Sequence, residues 1–254
     1  MWWGSARRSI AYVDRGTVGI LKAGNGIADV STCEEGSEFA FLETVLTDDS
    51  DTSWSVFLGP SLAEWRALRR VDNVWRRRER EIAARALLLS TEDSFAAGNE
   101  SSVYVADPAL QSQWVAYVIA NETMLAAEAL AAKRKNRLRS VESLPGAVAS
   151  GLEHNTGLPH IAAMICAREV AWIVKDRDGV MDCGIWKGSP DLAGTSADCR
   201  RLQLAHAIPF DRLLILRLRI NSPTEPQSPG SSSEWRWTDA RFNALWSAVE
   251  PERP

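Results

Sequence analysis

The chain has 254 residues, of which 45% are apolar and 24% are charged, and its net charge at pH 7 is −4. This length allows one large α/β domain or two small lobes with their own cores, whereas the slightly acidic balance argues against general affinity for nucleic acid or anionic lipid. The four cysteines form no CxxC pair, and neither a signal peptide nor an apolar run of roughly 18 residues occurs, so we expect a soluble cytoplasmic protein with free thiols.

Two short apolar strands open the chain. Residues 9–14 (SIAYVD) and 17–23 (TVGILKA) flank the turn DRGT, and a third strand is predicted near residues 27–33, after the Asn25-Gly26 turn. The chain therefore begins as a β-meander.

The DRGT turn has the residues of a loop that holds phosphate. Gly16 lets the backbone approach an anion closely, and the backbone N–H groups of the turn can donate to it. Thr17 adds a hydroxyl, and the Asp14 carboxylate can hold a hydrated Mg²⁺. The alternative is an ordinary strand, turn and strand, because Asp and Gly are also common turn residues.

Helical and strand patterns continue through the first half. Apolar spacing predicts a helix over residues 37–46, a buried strand over 54–59 and a longer helix from Val71 to about Leu89. The arginines at residues 76–80 of this last helix lie opposite its apolar stripe, and we interpret them as a solvated face that pairs locally with Glu79 and Glu81.

The second half repeats this order of hairpin strands followed by a helix. Strands are predicted over residues 102–107, 114–120, 137–143, 160–167, 169–176, 179–188 and 212–220, and helices over 122–134, 144–154 and 196–207. Asp176-Arg177-Asp178-Gly179 is a strong hairpin turn between two of these strands. The repeated order indicates two lobes of related topology.

The C-terminal part divides into a linker and a final element. Residues 221–234 are rich in Pro, Ser and Gly and are predicted to be flexible, and residues 235–254 are predicted to contain an amphipathic helix. This helix either covers an apolar groove of its own chain or binds a partner. The candidate partner-binding residues are Trp235, Trp237, Phe242, Leu245 and Trp246.

Common catalytic motifs are absent from the sequence. It contains no Walker phosphate loop, no G-x-S-x-G elbow and no H-E-x-x-H pair. The three histidines, His154, His160 and His206, have no Cys or second His at ligand spacing. We therefore predict neither a catalytic residue nor a metal site.

The opening hairpin with Lys22 resembles the first phosphate motif of the actin, heat-shock chaperone and sugar-kinase superfamily. Region 9–220 is similar to the cytoplasmic actin-like proteins of type IV pilus and type II secretion platforms, the PilM and GspL group. The resemblance implies an α/β fold of two actin-like, ribonuclease H-like lobes made of mixed sheets with helices. It places the first lobe in residues 1–91 and the second in 92–220.

The resemblance also implies a nucleotide site, from which this chain departs. The matching residues would be Asp14, Gly16, Thr17 and Lys22. Members that hydrolyse nucleotide have a second D-x-G loop, and the corresponding segment here is either the turn at residues 175–179 or the junction at residues 166–169; neither has that chemistry. Because phosphoryl transfer needs positioning from both sides, the first motif is interpreted as a remnant, and no enzyme activity or cofactor is expected.

The resemblance implies a scaffold. Relatives of the soluble, peripheral PilM type bind the cytoplasmic peptide of an inner-membrane partner and the assembly ATPase. We therefore expect a pilus or secretion protein as partner, a position at the inner membrane through that partner, and no nucleic acid, while a homodimer stays open. Two alternatives remain: a protein that binds Mg-ATP through the DRGT turn, and an unrelated α/β protein.

Overall fold

Two five-stranded sheets form the frame of the molecule in a computed structural model. The structure describes residues 7–21, 28–46, 52–74, 76–89, 101–106, 113–133, 138–143, 152–154, 157–188, 191–218, 235–237 and 246–249. The helices are α1 (Glu38–Leu46), α2 (Arg77–Leu89), α3 (Asn121–Lys133) and α4 (Leu192–Ala205). The strands are β1 (Arg7–Asp14), β2 (Thr17–Leu21), β3 (Ala28–Thr32), β4 (Thr52–Leu58), β5 (Ala63–Arg69), β6 (Ser101–Ala106), β7 (Gln113–Ala120), β8 (Leu138–Ser143), β9 (Leu152–His154), β10 (His160–Ile165), β11 (Glu169–Asp176), β12 (Gly179–Lys187), β13 (Leu213–Leu218), β14 (Trp235–Trp237) and β15 (Trp246–Val249).

The two sheets share one strand order. The first is β3-β2-β1-β4-β8 and the second is β12-β11-β10-β13-β15. In each, an antiparallel meander of three strands is followed by a strand that pairs parallel to the first one. They differ in the fifth strand, because β8 runs parallel to β4 whereas β15 runs antiparallel to β13. The repeated order predicted from the sequence is therefore present.

The main core lies between the two sheets, because successive side chains of the central strands point to opposite faces of each sheet. On β1, Ile10 and Tyr12 join a cluster that also contains Ala162 and Met164 of β10. The intervening Ala11 of β1 packs instead in the cluster that includes α1. Since side chains alternate across a strand, each sheet presents one face to the other sheet and the opposite face to its helices.

A small antiparallel sheet, β5-β7-β6, is inserted in the chain between β4 and β8. Its cluster includes Trp114 and, from α2, Ala84 and Leu88. Trp65 of β5 is fully buried in the core between the large sheets, and its indole N–H donates to the Gly184 carbonyl oxygen of β12 over 3.4 Å. This tryptophan therefore joins the insertion to the second sheet.

Two helix predictions in the body of the chain need correction. The helix predicted from Val71 begins at Arg77, because Asn73 has a φ of 65°, which a continuing right-handed helix does not allow. Residues 152–154, predicted as the end of a helix, form β9, and residues 144–150 lie outside the described part of the chain. Strand β5 was not predicted at all.

The predicted C-terminal amphipathic helix is wrong for the residues that the structure describes. Residues 235–237 form β14 on β9, and residues 246–249 form β15 on β13. Four apolar positions within eight residues fit a helix by spacing alone, but the open edge of β13 offers backbone partners that the sequence pattern does not show. Both segments thus pair with their own chain.

The pairing of β8 concerns the predicted boundary between the two lobes. Residues 138–143, assigned by the prediction to the second lobe, pair with β4 of the first sheet. The division of the rest of the chain at residue 91 stays a prediction. Within the described ranges, no helix is long and apolar enough to cross a membrane.

Candidate functional site

The β1–β2 turn faces the junction between β10 and β11. The Arg168 side chain of that junction lies beside Gly16, and its guanidinium is 2.5 Å from the Glu35 carboxylate. Of the two segments predicted to correspond to the second loop, the junction at residues 166–169 is therefore the one that lies beside the first turn. The turn at Asp176–Gly179 joins β11 to β12 at the other end of β11.

A cavity of about 300 Å³ lies at this meeting point. Its charged lining residues are Arg15, Glu64, Arg168, Glu169 and Lys187. Three cations and two carboxylates leave a small positive excess, which suits an anion. Glu64 and Glu169 would nevertheless repel a phosphate close to them.

Asp14 is buried and serves as an internal hydrogen-bond acceptor. Its carboxylate accepts from the Tyr12 hydroxyl at 2.8 Å, from the Arg15 N–H at 3.0 Å and from the Ser61 N–H at 3.1 Å. Only 1% of Asp14 is exposed. A hydrated Mg²⁺ needs carboxylate oxygens that face an open site, so the geometry of Asp14 does not fit that role.

Glu38 accepts a hydrogen bond from the turn that the sequence predicts to hold phosphate. The N–H of Gly16, where φ is +67°, donates to a Glu38 carboxylate oxygen at 2.7 Å, and the N–H of Gly36 donates to the same oxygen at 3.0 Å. Glu38 is the first residue of α1 and is buried. The protein thus supplies its own anion to the turn.

The other predicted cofactor residues are Thr17 and Lys22. Thr17 is buried in β2, and Lys22 lies outside the described residues. A cofactor role for Asp14, Gly16, Thr17 and Lys22 stays a prediction. The contacts of Asp14 and Glu38 do not favour it.

Burial raises the pKa values of three groups in this region. It raises the pKa of the Asp14 carboxyl, although the hydrogen bonds from Tyr12, Arg15 and Ser61 act in the opposite direction. Burial also raises the pKa of the Glu169 carboxyl, with a further contribution from Asp14. Cys166 is buried, and burial raises the pKa of its thiol well above the ordinary value, which disfavours the reactive thiolate.

We expect the stability contribution of Asp14 to fall as the pH rises. Because the pKa of Asp14 is higher in the folded chain than in the unfolded one, its favourable contribution is complete below about pH 4 and is lost as the pH rises through the folded pKa. Urea unfolding of the wild type and Asp14→Asn from mildly acidic to neutral pH measures it. The difference in free energy of unfolding should decrease with pH, and a constant difference would contradict the assignment.

A second, larger cavity lies away from the two turns. We call it the α3–β8 groove; its volume is about 540 Å³ and its lining is mostly apolar. The residues that line it are Tyr104, Tyr117, Ile119, Met124, Ala127, Glu128, Ala131, Val141, Glu142 and Ser143. Because these residues come from β6, β7, α3 and β8, sequence reasoning missed the groove.

The residues predicted to bind a partner lie in or near the C-terminal strands. Trp235 and Trp237 belong to β14, and Trp246 begins β15. Phe242 and Leu245 lie outside the described residues. The backbone of both strands pairs with this chain, so partner binding by these five residues stays a prediction.

Solved structures with the same fold span nearly the whole chain. One is the cytoplasmic domain of EpsL, an inner membrane component of the type II secretion system of Vibrio cholerae, which is 11% identical with a TM-score of 0.51 over 94% of this chain and 92% of that one. Another is a Bacteroides thetaiotaomicron protein of actin-like ATPase fold and unknown function, which is 9% identical with a TM-score of 0.52 over 86% and 84%.

A chain of a PilM–PilN type IV pilus biogenesis complex aligns at 14% identity with a TM-score of 0.47 over 79% of this chain and 68% of that one. No protein-family model matches the sequence, and no curated protein does so. At such identities the likeness concerns the fold alone. It confirms the actin-like α/β fold expected from the opening hairpin and the repeated strand order.

Proposed function

We propose that this chain is a non-enzymatic scaffold of a bacterial pilus or type II secretion assembly platform. The main support is the contact of Glu38, because its carboxylate already accepts the hydrogen bond from the Gly16 N–H that a bound phosphate would need. The fold shared with the cytoplasmic domain of a type II secretion component supports the cellular setting. The protein would then be cytoplasmic and held at the inner membrane through a partner.

The α3–β8 groove is the surface that we assign to the partner. Apolar side chains such as Met124 and Val141 line most of it, with the carboxylates of Glu128 and Glu142 at its polar positions. Strand β8 is the last strand of its sheet among those described, and an edge strand can pair with an added segment. The groove therefore suits a short apolar segment with basic residues. An inner-membrane pilus or secretion protein is the expected source; the assembly ATPase and a second copy of this chain are further candidates.

Affinity capture from the host with a matched pair of variants tests this function. Ala131 lines the groove, whereas its neighbour Ala132 on α3 is exposed and does not. The wild type and Ala132→Arg should both capture an inner-membrane pilus or secretion protein. The amount captured by Ala131→Arg should be at least about tenfold lower than that captured by the wild type, because the guanidinium would enter an apolar site.

Two results would count against the proposal. If the wild type captures no pilus or secretion component, the scaffold function loses its support. If Ala131→Arg captures the same component as well as Ala132→Arg does, the scaffold binds its partner elsewhere.

A further inference from the structure

The outer side of α2 carries an apolar stripe that is open to solvent. Ala84 and Leu88 define the inner side of the helix, because both are buried against the small sheet. On the outer side, Ile82 is 62% exposed and Leu89 is 53% exposed, and the exposed Ala86 lies between them in the sequence. An exposed apolar cluster of this kind is typical of an interaction surface.

The spacing of the stripe is that of a seam between two helices. Ile82, Ala86 and Leu89 follow one another at four and then three residues, which is the d-a-d spacing of a coiled-coil heptad. At 3.6 residues per turn the three positions lie within about 60° of one another around the helix, on the side opposite Ala84. Large side chains at the ends and alanine in the middle let a second helix approach closely. A helix is therefore the element that fits this stripe.

Two opposite charges flank the stripe at its amino-terminal end. Arg78 and Glu79 are exposed and lie about 50° to either side of it. Glu79 is 4.0 Å from the Arg76 side chain and accepts from the Arg76 N–H at 3.4 Å, and both contacts are long. Its carboxylate can therefore accept from a second arginine.

These flanking charges complement a copy of the same surface. When two identical helices lie side by side in the same direction, a two-fold axis places the left flank of one against the right flank of the other. Arg78 of each chain then faces Glu79 of the other. Because the two charges cancel, the surface favours its own copy over a strongly acidic or basic partner.

We propose that the outer side of residues 78–89, which we call the α2 face, pairs with the α2 face of a second copy of this chain, with the two helices parallel. Each of the three apolar positions would meet its own counterpart, and two Arg78–Glu79 pairs would close the amino-terminal end. Two turns of helix form a small interface, so we expect a weak dimer.

This dimer leaves the α3–β8 groove open to its partner. Strand β7 turns Val118 toward the cluster that contains α2, whereas the neighbouring Tyr117 and Ile119 line the groove on the other side of the small sheet. The dimer is therefore independent of the scaffold function, and it would present two grooves to the assembly platform at once.

Sedimentation equilibrium of the full chain tests the α2 face. Measurements up to about 0.5 mM should show a monomer–dimer equilibrium, since weak complexes dissociate between micromolar and millimolar concentrations. Ile82→Glu with Leu89→Glu should raise the dissociation constant at least about 30-fold, because two apolar contacts are lost. Leu125→Glu with Leu204→Glu is the matched control: both leucines are exposed on other helices, so the constant should stay within about twofold.

A charge exchange tests the flanks of the stripe. Arg78→Glu alone should raise the dissociation constant by about fivefold, because each new carboxylate would face Glu79 of the other chain. Combining Arg78→Glu with Glu79→Arg recreates both pairs in the opposite sense. The constant of this double variant should return to within about twofold of the wild type.

Disulfide cross-linking measures the direction of the helices. The background is Cys33→Ser, which removes the half-buried thiol, and the three remaining native cysteines are buried. In parallel helices, Ile82→Cys, Ala86→Cys and Leu89→Cys should each give a covalent dimer on mild oxidation. The exposed control Leu125→Cys should stay monomeric.

Four results would overturn this inference. A wild type that remains monomeric up to about 0.5 mM would remove the interface. Equal loss of the dimer in the two Glu double variants would assign the effect to net charge. A charge exchange that restores nothing would mean that the flanks do not pair, and cross-linking at residue 86 alone would mean antiparallel helices. None of these results alters the capture expected of the α3–β8 groove.

Discussion

Glu38→Ala should lower the free energy of unfolding by about 2–3 kcal/mol, because hydrogen bonds to a buried charged acceptor are among the stronger ones. The variant leaves the N–H of Gly16 and of Gly36 without their acceptor. Urea unfolding measures the loss. Glu43→Ala in the same helix is the control: its 2.8 Å pair with Lys133 is exposed, so its removal should cost less than about 1 kcal/mol. Equal losses in the two variants would show that Glu38 is not the special acceptor of the turn.

The same variant separates the scaffold from the Mg-ATP alternative. If the Glu38 carboxylate stands in for a bound anion, sulfate should restore more stability to Glu38→Ala than it adds to the wild type. Calorimetric titration of the wild type with Mg-ATP should give no heat of binding. Submillimolar affinity that disappears in Asp14→Asn would instead establish a nucleotide site in the cavity between the turns.

Gly59→Ala should destabilise the chain by about 3 kcal/mol or more, because overpacking of this severity forces the backbone to move. A Cβ atom at Gly59 would lie 2.3 Å from Cγ and 2.6 Å from Cβ of Asp14. Asp14 cannot turn away easily, since it is buried and held by three hydrogen bonds. The measurement is again equilibrium unfolding in urea.

Gly194→Ala provides the control for this substitution. The three atoms nearest to its Cβ would all belong to the Asp191 side chain, at 3.2 Å or more, in the first turn of α4. Alanine also suits a helix better than glycine, so the stability should change by less than about 1 kcal/mol. A Gly59→Ala protein that unfolds at the same urea concentration as the wild type would mean that the backbone after β4 can move away from Asp14 without loss of stability.

Sequence reasoning succeeded where local pattern and turn chemistry agree. The strands around residues 14–17 and 176–179 alternate or are continuously apolar, and their turns contain Asp and Gly. Such segments specify their hairpins without help from distant parts of the chain. The two meanders, and through them the fold, were therefore predictable.

The site depended on contacts that no local pattern contains. Glu38 lies 22 positions from Gly16 and reaches it only once α1 has packed on the first sheet. The sequence does show that Glu38 lies near the start of a predicted helix. An acidic residue there indicates a helix N-terminus, but it does not reveal which N–H group will donate to the carboxylate. Likewise, the strand conformation of residues 246–249 depends on the open edge of β13 and not on their own apolar spacing.

The pairing of β15 with β13 also has a consequence for the order of folding. Leu218 ends β13 and faces Trp246, so residues 219–245 must be synthesised before this edge of the second sheet can close. At ribosomal speeds of about 5–20 residues per second, β13 would keep an unpaired edge for seconds. During that interval the nascent chain offers an unpaired strand edge with which another strand can pair.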